Sequence, residues 1–227
     1  MTAAAGQETA TRRSWSAAAA AYAQPRVLTM FVLGFSSGLP FLLIFSTLSA
    51  WLTEAGVSLA TIGFASYVGL AYTIKFVWAP LVDRLPLPFV GRLLGRRRAW
   101  MLLAQVVVAA AIFAMSRIDP ASDLAGMVVA AVVVAFASAT QDTAIDAWRI
   151  EAAASKDDQA TMAAATQLGY RIALIAAGAG ALYIADYASW SASYATMAAL
   201  MGVGMLGTIV AYRPAEAAPQ DTAAAAL

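Results

Sequence analysis

Cysteine and histidine are both absent from the 227 residues, and charged side chains make up only 12% of them. The chain therefore forms no disulfide, and with neither thiolate nor imidazole it lacks the usual means to build a zinc site or a Ser-His or Cys-His nucleophile. Proton chemistry falls to carboxylates, Lys or Tyr. No set of nucleophile, base and metal ligands stands out, so the sequence speaks against an enzyme and calls for no metal or cofactor. The net charge is +1, and the basic residues lie between apolar stretches instead of forming one face, which speaks against a nucleic-acid partner.

What the chain has in excess is apolar length. Hydrophobic residues reach 62% and mean hydropathy is +0.72, far above a soluble domain. The expected fold class is an all-α, multi-pass membrane protein with membrane lipids as its solvent. Six stretches approach or exceed the roughly 20 residues that a hydrocarbon core demands. They are Val27–Leu52, Leu59–Leu81, Ala99–Ser116, Leu124–Trp148, Thr161–Ala185 and Trp190–Tyr212. The expected organisation is a polar tail over residues 1–25, a six-helix bundle over 26–212, and a second polar tail or the start of a linker over 213–227. Most links are short, so consecutive helices are expected to be antiparallel neighbours. In the first span, Gly34 and Gly38 offer a small-residue surface for close helix approach, and Pro40 frees a carbonyl and favours a bend.

Eleven of the fourteen Lys and Arg residues lie in the two tails and the second and fourth loops, whereas only Arg117 falls on the opposite side. The positive-inside rule then puts both termini in the cytoplasm. Lys75 and Arg171 fall within spans.

The fourth span holds the least expected chemistry. Its apolar run turns polar at SATQDTAIDAWR, with Gln141, Asp142 and Asp146 before Arg149. An intramembrane carboxylate costs roughly 2.5–3.5 kcal/mol on insertion scales and marks a candidate functional site. Asp142 and Asp146 are four apart and share a helical face, with Arg149 three residues on. Asp142 is the deeper acid and the candidate for proton coupling. Lys75 either snorkels to the headgroups or pairs with Asp142 or Asp146. Arg171 is either half of an ion pair or a clamp for an anionic substrate. In the loop DRLPLPFVGRLLGRRR, the basic residues either set topology or form a cytoplasmic gate. In the gate reading, Asp83, Arg84 and the cluster Arg96, Arg97 and Arg98 work with Asp146, Arg149 and Glu151.

Taken in order, GFSSGLP, IGFASYVGLAYTIKFVWAPLVDR, GRRRAW, SATQDTAIDAWR and LGYRIAL resemble the muropeptide permeases of the AmpG family, within the major facilitator superfamily. The resemblance runs from about Val27 to Tyr212 and implies a six-transmembrane-helix half of such a transporter. It further implies a proton-driven importer in the bacterial inner membrane, carrying anhydromuropeptides for cell-wall recycling. On that implication Tyr72 and Gln141 bond sugar hydroxyls, Lys75 or Arg171 meets peptide carboxylates, and Asp142 takes the proton. The partners are then a small amino-sugar peptide, protons and a missing C-terminal six-helix half. Ten residues separate Arg84 from Gly95, more than the superfamily's signature loop has. Two other readings stay open: a carrier of another anionic metabolite, such as an acetyl-CoA transporter-like relative, and a six-helix fragment or assembly partner without transport.

Overall fold

A computed structural model describes residues 20–85, 87–88 and 90–211, without the side chains of Phe64, Ala65, Ser66, Leu81 and Asp83. All regular structure among the described residues is helical. The expected tails at 1–25 and 213–227 lie almost entirely outside them. Among the described residues six helices are long and apolar enough to cross a membrane: α1 (Pro25–Glu54), α2 (Leu59–Val77), α3 (Arg96–Met115), α4 (Leu124–Ala152), α5 (Lys156–Tyr187) and α6 (Trp190–Val210). Each overlaps one of the six apolar stretches.

Helix starts follow local chemistry. Asp123, Ser155 and Ser189 cap α4, α5 and α6 by accepting backbone N–H bonds from Gly126, Asp158 and Ala192 at 2.8, 3.2 and 3.1 Å. Asp157 and Asp158 in the first turn of α5 add favourable charge at its N-terminus.

The deepest packing joins α1 to α5, and glycine permits it. A Cβ at Gly34 or Gly169 would be driven into the backbone carbonyl of Thr166 or Phe31, and one at Gly38 would lie 2.7 Å from the Tyr170 carbonyl oxygen. The two backbones touch, which is the use membrane helices make of small residues.

Three helices depart from regularity. The first is α1, which runs helically through Pro40 and breaks five residues later at Phe45, where φ is −113° and ψ −99°. The bend expected at the proline is thus displaced toward the far end. In α5 the ladder widens to a π-helical turn at Ala176–Gly180. Where these irregular segments meet, Tyr194, Thr47 and Ser193 hydroxyls donate to the carbonyls of Leu43, Ala177 and Ala181, each at 2.7 Å. Backbone groups left without a helical partner in hydrocarbon need such substitutes. The third is α2, expected as one continuous span but interrupted by 3₁₀ turns at Ser66–Gly69 and Lys75–Val77. Glycines at 63 and 69 weaken it, and Pro80 cannot donate to the carbonyl of Phe76.

The apolar core comes in two pieces. One cluster contains Leu39, Leu43, Val108, Ala135, Ala173 and Met201, and the other contains Leu33, Met101, Ala144, Ala165 and Ala211. On every helix that contributes to both, the intervening turns carry polar or small residues: Ser36, Gln105, Ser138, Gln141, Gly169, Gly204 and Thr208. A polar layer therefore crosses the bundle, and it positions the candidate site.

Candidate functional site

Within this layer, Gln141 on α4 donates to Ser36 Oγ on α1 at 3.3 Å, and Gln105 on α3 donates to the same oxygen at 3.5 Å. Thr208 on α6 donates to Gln105 Oε1 at 2.9 Å. All four side chains are fully buried. Each interhelical bond is worth about 0.6–2 kcal/mol in a membrane, and together they fix the register of α1, α3, α4 and α6. Gln141, expected to meet a sugar hydroxyl, is turned inward to this network.

Asp142, the next residue, lies on the neighbouring face and is only half-buried. Its carboxylate accepts a hydrogen bond from Ser37, so adjacent serines of α1 serve the two adjacent polar residues of α4. Lys75, Asp146, Tyr72 and Tyr170 stand within electrostatic reach of Asp142. Among the described residues no ion pair links Lys75 to either acid, so proximity without contact replaces the expected pair. Asp146 instead accepts from Arg149 of its own helix at 3.1 Å.

An aromatic wall stands beside the acid. Phe41 of α1 lies 6.1 Å from Tyr72 of α2 and 6.4 Å from Tyr170 of α5, ring centre to ring centre, and Phe45 lies 6.4 Å from Tyr72. Phe41 is 36% exposed, so part of the wall is open. Rings of this kind offer flat apolar faces for stacking, while Tyr72, Tyr170, Asp142 and Lys75 supply donors and acceptors. Ser37, Phe41 and Tyr170 are absent from the sequence expectation. The signal for Ser37 was present in GFSSG, where a hydroxyl pair interrupts an apolar span; Tyr170 and Phe41 carry no pattern that separates them from core aromatics.

Arg171 is exposed on the outer surface of α5, one residue beyond Tyr170, which turns toward Phe41. A guanidinium on a surface that also exposes Leu168, Ile172 and Ile175 is costly against lipid.

The expected gate residues gather at one end of the bundle. Arg97 Nε donates to Glu151 at 2.8 Å, tying the start of α3 to the end of α4. Arg98 donates to the carbonyls of Thr208 and Ile209 at 3.1 and 2.6 Å and so caps the end of α6. Arg26 pairs with Asp158 at 3.1 Å. Arg84 is exposed, Arg96 and Arg149 are half-buried, and the side chain of Asp83 lies outside the described residues. Arg97 with Glu151 is thus one expected contact to α4 that is made.

Comparison with known proteins agrees with the resemblance read from the motifs. Residues 28–226 match the profile of the Major Facilitator Superfamily. The chain is 41% identical over 199 residues to an anhydromuropeptide permease of Escherichia coli K12, covering 87% of this chain and 40% of that protein. It is 37% identical over 186 residues to a Rickettsia felis protein named putative transporter AmpG 4, covering 80% and 44%. A Rickettsia prowazekii protein named putative transporter AmpG 3 is 32% identical over 173 residues, covering 76% and 41%. The chain thus spans about two fifths of the length of these relatives.

Proposed function

The chain belongs to the major facilitator superfamily, a family of transporters and not of enzymes, and from that premise we propose that it is the N-terminal half of a proton-coupled importer of anhydromuropeptides. One observation carries the reading: an intramembrane acid, Asp142, beside a partly open wall of Phe41, Tyr72 and Tyr170, with an ammonium at Lys75 near it but not bonded to it. Amino-sugar rings stack on aromatic faces, and peptide carboxylates seek a cation that is not already paired. Asp142 has the depth for a proton carrier, while Asp146, held by Arg149, belongs to the gate. Similarity to the anhydromuropeptide permease of Escherichia coli supports the substrate class and the bacterial inner membrane as location.

In this reading the end carrying Arg26, Arg97, Arg98 and Arg149 faces the cytoplasm, with both termini on that side. A second six-helix half supplies the opposite wall of the site, as in transporters built from paired repeats. Arg171 then lies against that half or its substrate, not against lipid. Import serves the recycling of cell-wall fragments.

The test is uptake of labelled anhydromuropeptide into liposomes that contain the permease assembled from this half and its second half. Asp142→Asn abolishes accumulation against a gradient while leaving exchange across the membrane. Accumulation at the wild-type level by that variant would remove Asp142 from the mechanism.

A further inference from the structure

We propose that the groove between α3 and α4 binds one anionic phospholipid, with an acyl chain laid along the groove and the phosphate held by Arg96. The site is separate from the aromatic wall and does not depend on what the transporter carries.

The groove has a volume of about 330 Å³ and is lined by Trp100, Leu103 and Val107 of α3 and by Val133, Phe136 and Thr140 of α4. Ala104 and Ala137 line it as well, and their small side chains give it depth. Leu103, Val133 and Phe136 are exposed, so in a membrane the groove opens to lipid. From Arg96 to Val107 α3 rises about 16 Å, roughly half the thickness of the hydrocarbon, so cation and groove together span one leaflet. Lipid tails gain little by leaving other lipid, so an apolar groove alone selects nothing, and selection falls to the headgroup end.

At that end a cation is in place and unsatisfied. Arg96 is four residues before Trp100, which puts it on the same face of α3, one turn nearer the basic end. It is half-buried, and its Nε is buried with no hydrogen-bond partner among the described residues. The acids at this end of α4 are taken, Asp146 by Arg149 at 3.1 Å and Glu151 by Arg97 at 2.8 Å. Buried donors are nearly always satisfied, and a guanidinium binds phosphate through paired N–H bonds. Two tryptophans flank the mouth. Trp100 Nε1 donates to the Leu85 carbonyl at 2.8 Å, and Trp78 Nε1 donates to Thr140 Oγ1 at 3.1 Å, with its ring centre 5.0 Å from that of Phe136. Amphipathic rings of this kind sit at headgroup level, and basic pockets between transmembrane helices take anionic headgroups.

The groove between α1 and α6 shows the difference. It is larger, about 680 Å³, and also apolar, with Leu28, Val32, Val203 and Leu206 in its lining. The cations beside it are already bonded, Arg26 to Asp158 and Arg98 to the carbonyls of Thr208 and Ile209. It therefore meets lipid without selecting a headgroup. Arg96 in turn parts from Arg97 and Arg98, which hold α4 and α6.

The test is lipid retention by the purified chain, and by the permease assembled with its second half, read by native mass spectrometry. The probes are dioleoyl phosphatidylglycerol, phosphatidylcholine with the same chains, and inorganic phosphate. Wild type is expected to bind phosphatidylglycerol about fivefold more tightly than phosphatidylcholine, the ratio that one arginine contact to an anionic headgroup gives. Arg96→Gln is expected to abolish that preference, while Arg92→Gln, on the loop helix Val90–Leu94, keeps it. Ala137→Phe fills the groove and is expected to lower retention of both lipids. Equal binding of the two lipids by wild type would overturn the site, as would an unchanged preference in Arg96→Gln. An equal loss in Arg92→Gln would reduce it to diffuse attraction by a basic loop, and unchanged retention in Ala137→Phe would put the lipid elsewhere; either outcome overturns it. Inorganic phosphate held as tightly as phosphatidylglycerol would leave an ion site without the groove. Loss of the preference when the second half is joined would make the groove a seat for that half, and both of these results also overturn the lipid site.

Discussion

The Ser37 hydroxyl on α1 donates a hydrogen bond to the carboxylate of Asp142 on α4, while its neighbour Ser36 accepts one from Gln141, the residue before that acid. Two adjacent positions on one helix thus meet two adjacent positions on another, one pair in the sealed layer and one at its open edge. The arrangement couples the candidate proton site to helix packing, because any change in the state of Asp142 is felt by α1 directly.

That coupling is measurable. Ser37→Ala removes the donor and leaves the carboxylate without it, whereas Asp142→Asn keeps an oxygen that accepts from Ser37. The serine variant is therefore expected to lower thermal stability in detergent more than the asparagine variant. A double-mutant cycle on Ser37 and Asp142 is expected to give a coupling of about 1 kcal/mol. Additive effects of the two substitutions would show that the bond contributes nothing.

Packing of α1 on α5 leaves no room for a methyl group at Gly34 or Gly169, where a Cβ would meet backbone and not a movable side chain. Gly34→Ala and Gly169→Ala are each expected to cost about 1–3 kcal/mol, or to prevent accumulation in the membrane. Gly63→Ala is the control, since nothing lies within 4 Å of the added carbon. Equal thermal stability of all three variants would contradict backbone contact between the helices.

At the basic end, Arg97 and Glu151 form an ion pair whose acid is 37% exposed, so it contributes less than about 1 kcal/mol to stability. Its expected role is in the rate of opening. Arg97→Glu is expected to change the turnover of transport with little change in melting temperature, and adding Glu151→Arg is expected to restore it. Failure of the reversed pair to recover turnover would detach this contact from gating.

Much of the fold was legible in the sequence because membrane insertion writes it in simple terms. Apolar length marks six spans, and GFSSG marks a close helix contact. Asp142 was legible for the same reason, since an acid in hydrocarbon has few ordinary explanations. What stayed hidden depends on which way a side chain turns. Gln141 and Asp142 are neighbours of similar polarity, yet the helix sends one into the sealed layer and the other to the open face. Tyr170 and Arg171 split likewise, the ring inward and the guanidinium outward. The breaks in α2 were hidden too, because their cause is distributed over Gly63, Gly69 and Pro80 instead of one strong signal. Hydropathy reads α2 as one span, but it does not register what each backbone carbonyl bonds to.

The last prediction is that these 227 residues do not transport unaided. Alternating access moves one six-helix wall against another around a site between them. This bundle offers one wall: Phe41 is partly open, and Arg171 is exposed among Leu168, Ile172 and Ile175. A second copy packed by two-fold symmetry would cover that surface, but it would set Lys75 and Arg171 against their own duplicates and double the acids, removing the asymmetry that a site for one substrate and one proton uses. Purified chain in liposomes under a proton gradient is therefore expected to show no saturable uptake of labelled anhydromuropeptide, and co-reconstitution with a second six-helix half is expected to produce it. Saturable, gradient-dependent uptake by the chain alone would require a working homodimer and would replace the half-transporter with a symmetric one.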